Sequence, residues 1–335
     1  MRRSVRTLLT IAAAFGAGVA LAAWLPVGHH PDAAKTPPAT PLRAETPAEP
    51  TVASDAWPAA APSPEQVLYA QPQMMRDALA RLTPRVAGKP NLYLLAFAGD
   101  GGEDVFRNEA EYAAQLFGSR FGPTAHSLVL ANNPATLTTR PLASWSNLEA
   151  ALDGLQRVMR PEEDILLLYF TSHGDEDHTL LVDMDPLPLD QIGAQDLAEI
   201  LAARPFKWKV VVVNACYSGG FVPPLRGPGT LVLTAARSDR SSFGCGSDSD
   251  ITYFGKAWLV DALNHTDNFV DAFKRARNDI ATWEKQDELT PSEPQIDVGS
   301  GITAQLAAWR KHVVPGPAVS FKPAAPNAAD TAPMP

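Results

Sequence analysis

Asp164–Thr171 reads DILLLYFT and Lys209–Asn214 reads KVVVVN. Both are unbroken apolar runs of strand length. A run that is apolar at every position suits a strand covered on both faces. Both also end abruptly, the first at Ser172-His173-Gly174 and the second at Ala215-Cys216-Tyr217-Ser218-Gly219-Gly220. Working outward, Asn91–Ala98 (NLYLLAFA) is a third such run, bounded by Lys89-Pro90 and Gly99-Asp100-Gly101-Gly102. Ser127–Ala131 and Thr230–Ala235 complete five expected strands. Helical spacing is found in Gln73–Arg85, Asn108–Phe117, Ser146–Met159 and Ala194–Ala203, and after the last strand in Tyr253–Asn264 and Thr266–Lys285. Strands alternating with helices imply right-handed crossovers. The pattern predicts a three-layer α/β/α domain with a mostly parallel sheet.

The chain has 335 residues, 31 of them proline, and over half of the prolines fall within 26–64 and 315–335. Those two stretches have no apolar periodicity and are expected to be a disordered linker (28–64) and a disordered tail (314–335). Residues 65–313 remain, enough for one large α/β core. Met1–Arg6 carries Arg2, Arg3 and Arg6, and residues 7–27 are uncharged and mostly apolar. That order fits an export signal with a cleavage site after Ala20-Leu21-Ala22, or an anchor retained as a membrane tether. Either form leaves the rest of the chain exported, in the periplasm. The net charge is −9 with no basic stripe, so nucleic acid is not an expected partner. Two cysteines cannot build a disulfide scaffold or a cysteine-rich zinc site.

In a parallel sheet, chemistry gathers at the carboxyl ends of the strands. If the strands ending at Thr171 and Asn214 are neighbours, His173 and Cys216 share one rim. A thiol beside an imidazole is the minimal cysteine-nucleophile pair, since the thiolate is the attacking species. Gly174 and the glycines after Cys216 leave backbone N–H groups open to an oxyanion. On its own, a cysteine after a valine run reads as core. The loop His173-Gly-Asp-Glu-Asp-His178 has no helical i, i+4 histidine pair, so no metal or other cofactor is expected.

The motifs FTSHG and NACYSGG resemble the paired signatures of the caspase–legumain clan of cysteine peptidases. The likeness to its legumain (asparaginyl endopeptidase) branch continues in TAARSDRSSFGC (Thr234–Cys245) and TYFGK (Thr252–Lys256), and in AFAGDGGEDVFRNEAE before them. The resemblance implies a caspase-like fold and an exported bacterial member of the family. It puts the catalytic histidine on His173, the nucleophile on Cys216 and the oxyanion donors on the N–H groups of Gly174 and Cys216. In the specificity pocket it implicates Arg107 and Ser241, with Asn214 and Lys256 where legumain carries acids. Losing two acids and gaining a lysine beside Arg107 implies a preference for Asp or Glu before the cleaved bond, with Asn as fallback. The histidine-orienting asparagine of legumain has Val105 as its counterpart, so a dyad is expected and not a triad. Cys245 falls on a family cysteine that is not the nucleophile, and both thiols are expected to be free. The implied activity is peptide-bond hydrolysis of a peptide or protein substrate. The alternatives are transpeptidation or transamidation on the same fold, a silent protein-binding module, and a metal hydrolase.

Overall fold

The computed structural model describes residues 57–246 and 248–323. The segment read as an export signal or tether lies outside the described residues. Among the described residues no helix is long and apolar enough to cross a membrane.

The ordered chain opens on α1 (Pro64–Ala80), capped by a reciprocal pair of bonds between Ser63 and Gln66. It starts earlier than the expected Gln73 because the Ser63 cap and Pro64 at its first turn fix the start. Trp57 also packs against an apolar cluster, so order reaches into the expected linker. Next come β1 (Leu92–Ala98), α2 (Asp104–Arg120), β2 (Ala125–Ala131), α3 (Trp145–Val158) and β3 (Ile165–Thr171). A small antiparallel pair, β4 (Thr179–Leu180) and β5 (Ile192–Gly193), leads into α4 (Ala194–Ala202) and β6 (Trp208–Asn214). After β6 follow the short α5 (Val222–Leu225), β7 (Thr230–Thr234) and α6 (Tyr253–Gly255). The chain ends with a π-helical turn (Lys256–Ala262), α7 (Phe269–Gln286), β8 (Gln295–Val298) and α8 (Ile302–Arg310).

The six-stranded sheet runs β2-β1-β3-β6-β7-β8, parallel except for the antiparallel β8 at one edge. Successive side chains point to opposite faces. Leu92, Leu94, Tyr169, Val210 and Val212 therefore join one core with α2, α7 and α8. Tyr93, Leu95, Phe97, Leu168, Phe170, Val211 and Val213 join the other with α1, α3 and α4. This is a mixed α/β molecule with helices on both faces, consistent with the caspase-like fold.

Residues Val314–Lys322, expected to be part of a disordered tail, instead lie along α2. Arg120 is buried, and its Nε and Nη1 donate to the carbonyls of Leu263 (2.7 Å) and Gly316 (2.6 Å). Tyr112 and Asn264 both donate to the Val319 carbonyl. A proline-rich sequence without periodicity can still be held by carbonyls that accept from a folded body.

Arg120→Ala removes two charge-assisted bonds and leaves two carbonyls unpaired. It should lower unfolding stability by about 2–4 kcal/mol in urea denaturation and open residues 314–323 to proteolysis. Unchanged stability would mean the strap is held by something else.

Candidate active site

β3 and β6 are neighbours in parallel register, with Thr171 opposite Asn214. Counting two residues on along each chain brings His173 level with Cys216. The chains stay in contact past the strand ends: Ser172 N–H donates to the Asn214 carbonyl (3.3 Å). A Cβ built on Gly174 would lie 2.4 Å from the Cys216 carbonyl oxygen. No side chain fits there, which explains the glycine after the histidine.

Cys216 is half-buried, and Cys216 and Cys245 are both free. The Cys216 sulfur accepts the Ser242 backbone N–H at 3.3 Å, with the Ser242 hydroxyl 3.6 Å away. The Cys245 thiol is the largest influence on that sulfur, favouring its anionic form. With the Ser242 N–H and the Ser242 and Ser241 hydroxyls, it brings the Cys216 pKa down to about 5 against the opposing effect of burial. Cys245 is pushed the other way, chiefly by holding its proton toward that sulfur. Cys216 thus has the environment of a thiolate.

The turn after Cys216 is rigid. Tyr217 sits in the left-handed region (φ 54°), and its N–H donates to the Arg240 carbonyl at 2.7 Å. His178 Nδ1 lies 3.1 Å from the Tyr217 carbonyl. A Cβ on Gly220 would collide with the His178 ring at 2.0 Å, so the second glycine of the motif admits that imidazole. His178 therefore braces the turn after Cys216.

The His173 side chain is 37% exposed, and its Nε2 lies 3.5 Å from Asp100 Oδ2. The edge of Phe106 packs against the ring, with centroids 5.1 Å apart.

Beneath the rim sits Glu109, fully buried. One oxygen accepts from the Thr171 hydroxyl (2.6 Å), Asn214 Nδ2 (2.7 Å) and the Tyr169 hydroxyl (3.0 Å). The other accepts from the Thr252 hydroxyl (2.7 Å) and N–H (2.8 Å). Burial pushes the Glu109 pKa up, and the bonds from Thr171, Thr252 and Tyr169 hold it down against that. A Cβ on Gly255 would fall 2.1 Å from Glu109 Oε1. The glycine of TYFGK is thus needed for this carboxylate to fit.

The remaining expected pocket residues divide. Arg107 is buried and pairs with Asp104 at 3.0 Å, and its Nε has no hydrogen-bond partner among the described residues. Asn214 is buried with its Oδ1 unpartnered. Ser241 is exposed and is among the groups that favour the anionic form of Cys216. Lys256 is committed elsewhere: Nζ bonds Asp261 Oδ2 at 2.5 Å and lies 4.6 Å over the Trp283 ring. The expected free positive charge beside Arg107 is therefore not there, because the π-helical turn brings positions i and i+5 together. The sequence reading did not place a carboxyl group against Asn214, and Glu109 supplies one. The sequence reading missed Glu109, Asp100, Ser242 and Phe106.

Residues 146–305 match the model of the Peptidase C13 family. That match supports a cysteine peptidase. It covers His173, Asn214, Cys216, Ser241 and Lys256 and begins after Asp100, Arg107 and Glu109. No curated protein matches the chain.

Cys245→Ala removes the largest influence lowering the Cys216 pKa. Site-resolved iodoacetamide labelling of Cys216 should then lose its fast rate near pH 6, with the midpoint moved upward from about 5. An unmoved midpoint would mean Ser241 and Ser242 suffice. Glu109→Leu strands five buried donors and should cost about 3–5 kcal/mol in chemical denaturation.

Proposed function

We propose that the chain is a cysteine endopeptidase in which Cys216 is the nucleophile and His173 carries the proton. The observation that carries this reading is the register of β3 against β6, which ends both strands at one level beside a sulfur in a thiolate-stabilising environment. The Cys216 thiolate attacks the substrate carbonyl, and the N–H groups of Gly174 and Cys216 hold the resulting oxyanion. His173 gives a proton to the departing amine as the C–N bond breaks, leaving a thioester. Water, losing its proton to His173, then attacks the thioester and releases the acid and the thiolate.

The pocket supports a carboxamide before the cleaved bond better than a carboxylate. Arg107 already has an acid partner in Asp104, and the buried Glu109 carboxyl group occupies Asn214 Nδ2. Of the expected pocket residues, Arg107 and Asn214 each have one buried atom without a partner among the described residues, the donor Nε and the acceptor Oδ1. An asparagine side chain offers one of each, whereas an ionised aspartate offers acceptors only. Asparagine, the fallback on sequence grounds, becomes the first choice, with aspartate second. Export, by a cleaved signal or a retained tether, belongs to the same proposal and rests on Arg2, Arg3 and Arg6 ahead of the uncharged run 7–27.

A peptide-library digest with wild type and Cys216→Ala, read by mass spectrometry with and without an added amine, tests this. Wild type should cut after Asn faster than after Asp, and Cys216→Ala should lose at least about 10³-fold. Equal cleavage by the variant would overturn the mechanism, and Asp or Glu ahead of Asn at neutral pH would overturn the pocket assignment. Amine-capped products in place of hydrolysed ones would make the chain a transpeptidase.

A further inference from the structure

We propose that Asp100 is the positioning residue for His173, accepting its Nε2–H and completing the site as a triad. The inference rests on the peptidase reading of His173 and Cys216. The place where legumain carries its orienting asparagine is here Val105, fully buried in the apolar core and unable to accept a hydrogen bond. The imidazole finds an acceptor on another element. Asp100 leaves the carboxyl end of β1, with its side chain 8% exposed and Oδ2 3.5 Å from His173 Nε2. Contacts of this kind are often long in the unliganded state and tighten when substrate closes over them.

The chain around Asp100 holds that carboxylate in place. Residues 181–183 run between the two loops and bond both: Leu181 N–H donates to the His173 carbonyl (3.0 Å) and Asp183 N–H to the Gly99 carbonyl (2.9 Å). Gly101 N–H returns a bond to the Asp183 carbonyl (2.9 Å). A Cβ on Gly99 would lie 2.5 Å from the Leu181 carbonyl, and one on Gly101 would lie 2.6 Å from Met184 Sδ. In Gly99-Asp100-Gly101-Gly102, then, backbone leaves no room for a side chain at Gly99, Met184 crowds Gly101, and only Asp100 carries one. Its second oxygen accepts Gly102 N–H at 2.9 Å, which locks its rotamer.

The consequence is a defined tautomer. With the Nε2 proton shared with Asp100, Nδ1 is the nitrogen that exchanges protons with the sulfur and the leaving amine. An acid in this place also stabilises the imidazolium formed during the reaction.

Asp100→Ser, Asp100→Asn and Asp100→Ala in the full chain separate positioning from scaffolding. Serine keeps an oxygen for Gly102 N–H but is too short to reach His173; asparagine keeps one acceptor only, so with its oxygen on Gly102 N–H its NH2 faces Nε2 and cannot accept from it. Two readouts are taken: kcat and KM on the best library peptide, and the downfield imidazole N–H resonance of ¹⁵N-labelled His173, assigned by its loss in His173→Gln. Serine and asparagine keep the Gly102 bond and the turn, yet like alanine they should lose the resonance and drop kcat at least on the order of 10–100-fold at unchanged KM. Serine and asparagine both at wild-type values, with only alanine impaired, would make Asp100 only a turn former and overturn the proposal, as would a resonance that persists in alanine. If wild type cleaves nothing, the peptidase reading fails, and the resonance still decides whether Asp100 holds the ring.

Discussion

The rim depends on one fully buried carboxyl group. Glu109 gathers donors from β3 (Tyr169, Thr171), from β6 (Asn214) and from the turn before α6 (Thr252), and it reaches them from α2. Its donors have little choice of direction. The Thr252 hydroxyl already accepts from Gly255 N–H and Asn214 Nδ2, so its own proton points to Glu109. Desolvating an anion costs several kcal/mol, and only a full complement of donors offsets it. Four segments are therefore obliged to meet at one point, directly under the positions two residues further along β3 and β6. The spacing of His173 and Cys216 is inherited from a polar cluster that takes no part in their chemistry.

This division explains what the sequence makes legible. β1, β3 and β6 are readable because strands covered on both faces must be apolar at every position, and the structure moves their ends by at most one residue. β8 was not legible: its four residues, QIDV, are half exposed at an antiparallel edge, where the ladder to β7 substitutes for hydrophobic signal. α8 was also missed, although Ile302, Leu306 and Trp309 lie at helical spacing on its buried face. The single helix expected over Tyr253–Asn264 is one short α turn followed by a π turn, and that change of pitch turns Lys256 toward Asp261.

At the site, the legible residues stand immediately after strands, where chain order alone gives their place. The missed ones act across the fold. Asp100 and His173 are 73 positions apart in the chain, and Glu109 and Asn214 are 105 apart. Some signal was present nevertheless. A lone carboxylate flanked by glycines needs a reason, and so does an acid on the apolar face of α2. A charged residue on a helix face otherwise made of Val105, Phe106, Tyr112 and Ala113 is either an error of pattern or a buried acceptor.

On the proposed reading, the two thiols change what the histidine must do. The Cys216 sulfur already has a backbone N–H and a hydroxyl of Ser242 beside it and a second thiol favouring its anionic form, so its thiolate does not depend on the imidazole as base. Stabilisation of that kind has a cost: a sulfur made comfortable as an anion is a weaker nucleophile for its charge. What remains difficult is expulsion of the amine, which needs a proton delivered at the moment the C–N bond breaks. Only a group with a fixed orientation can deliver it, and here Phe106 against the ring and Asp100 at Nε2 limit the imidazole's freedom. The sulfur's environment prepares the attack, the histidine's environment prepares the departure, and the two are built by different parts of the chain: the loop after β7 for the first, and the turn after β1 for the second.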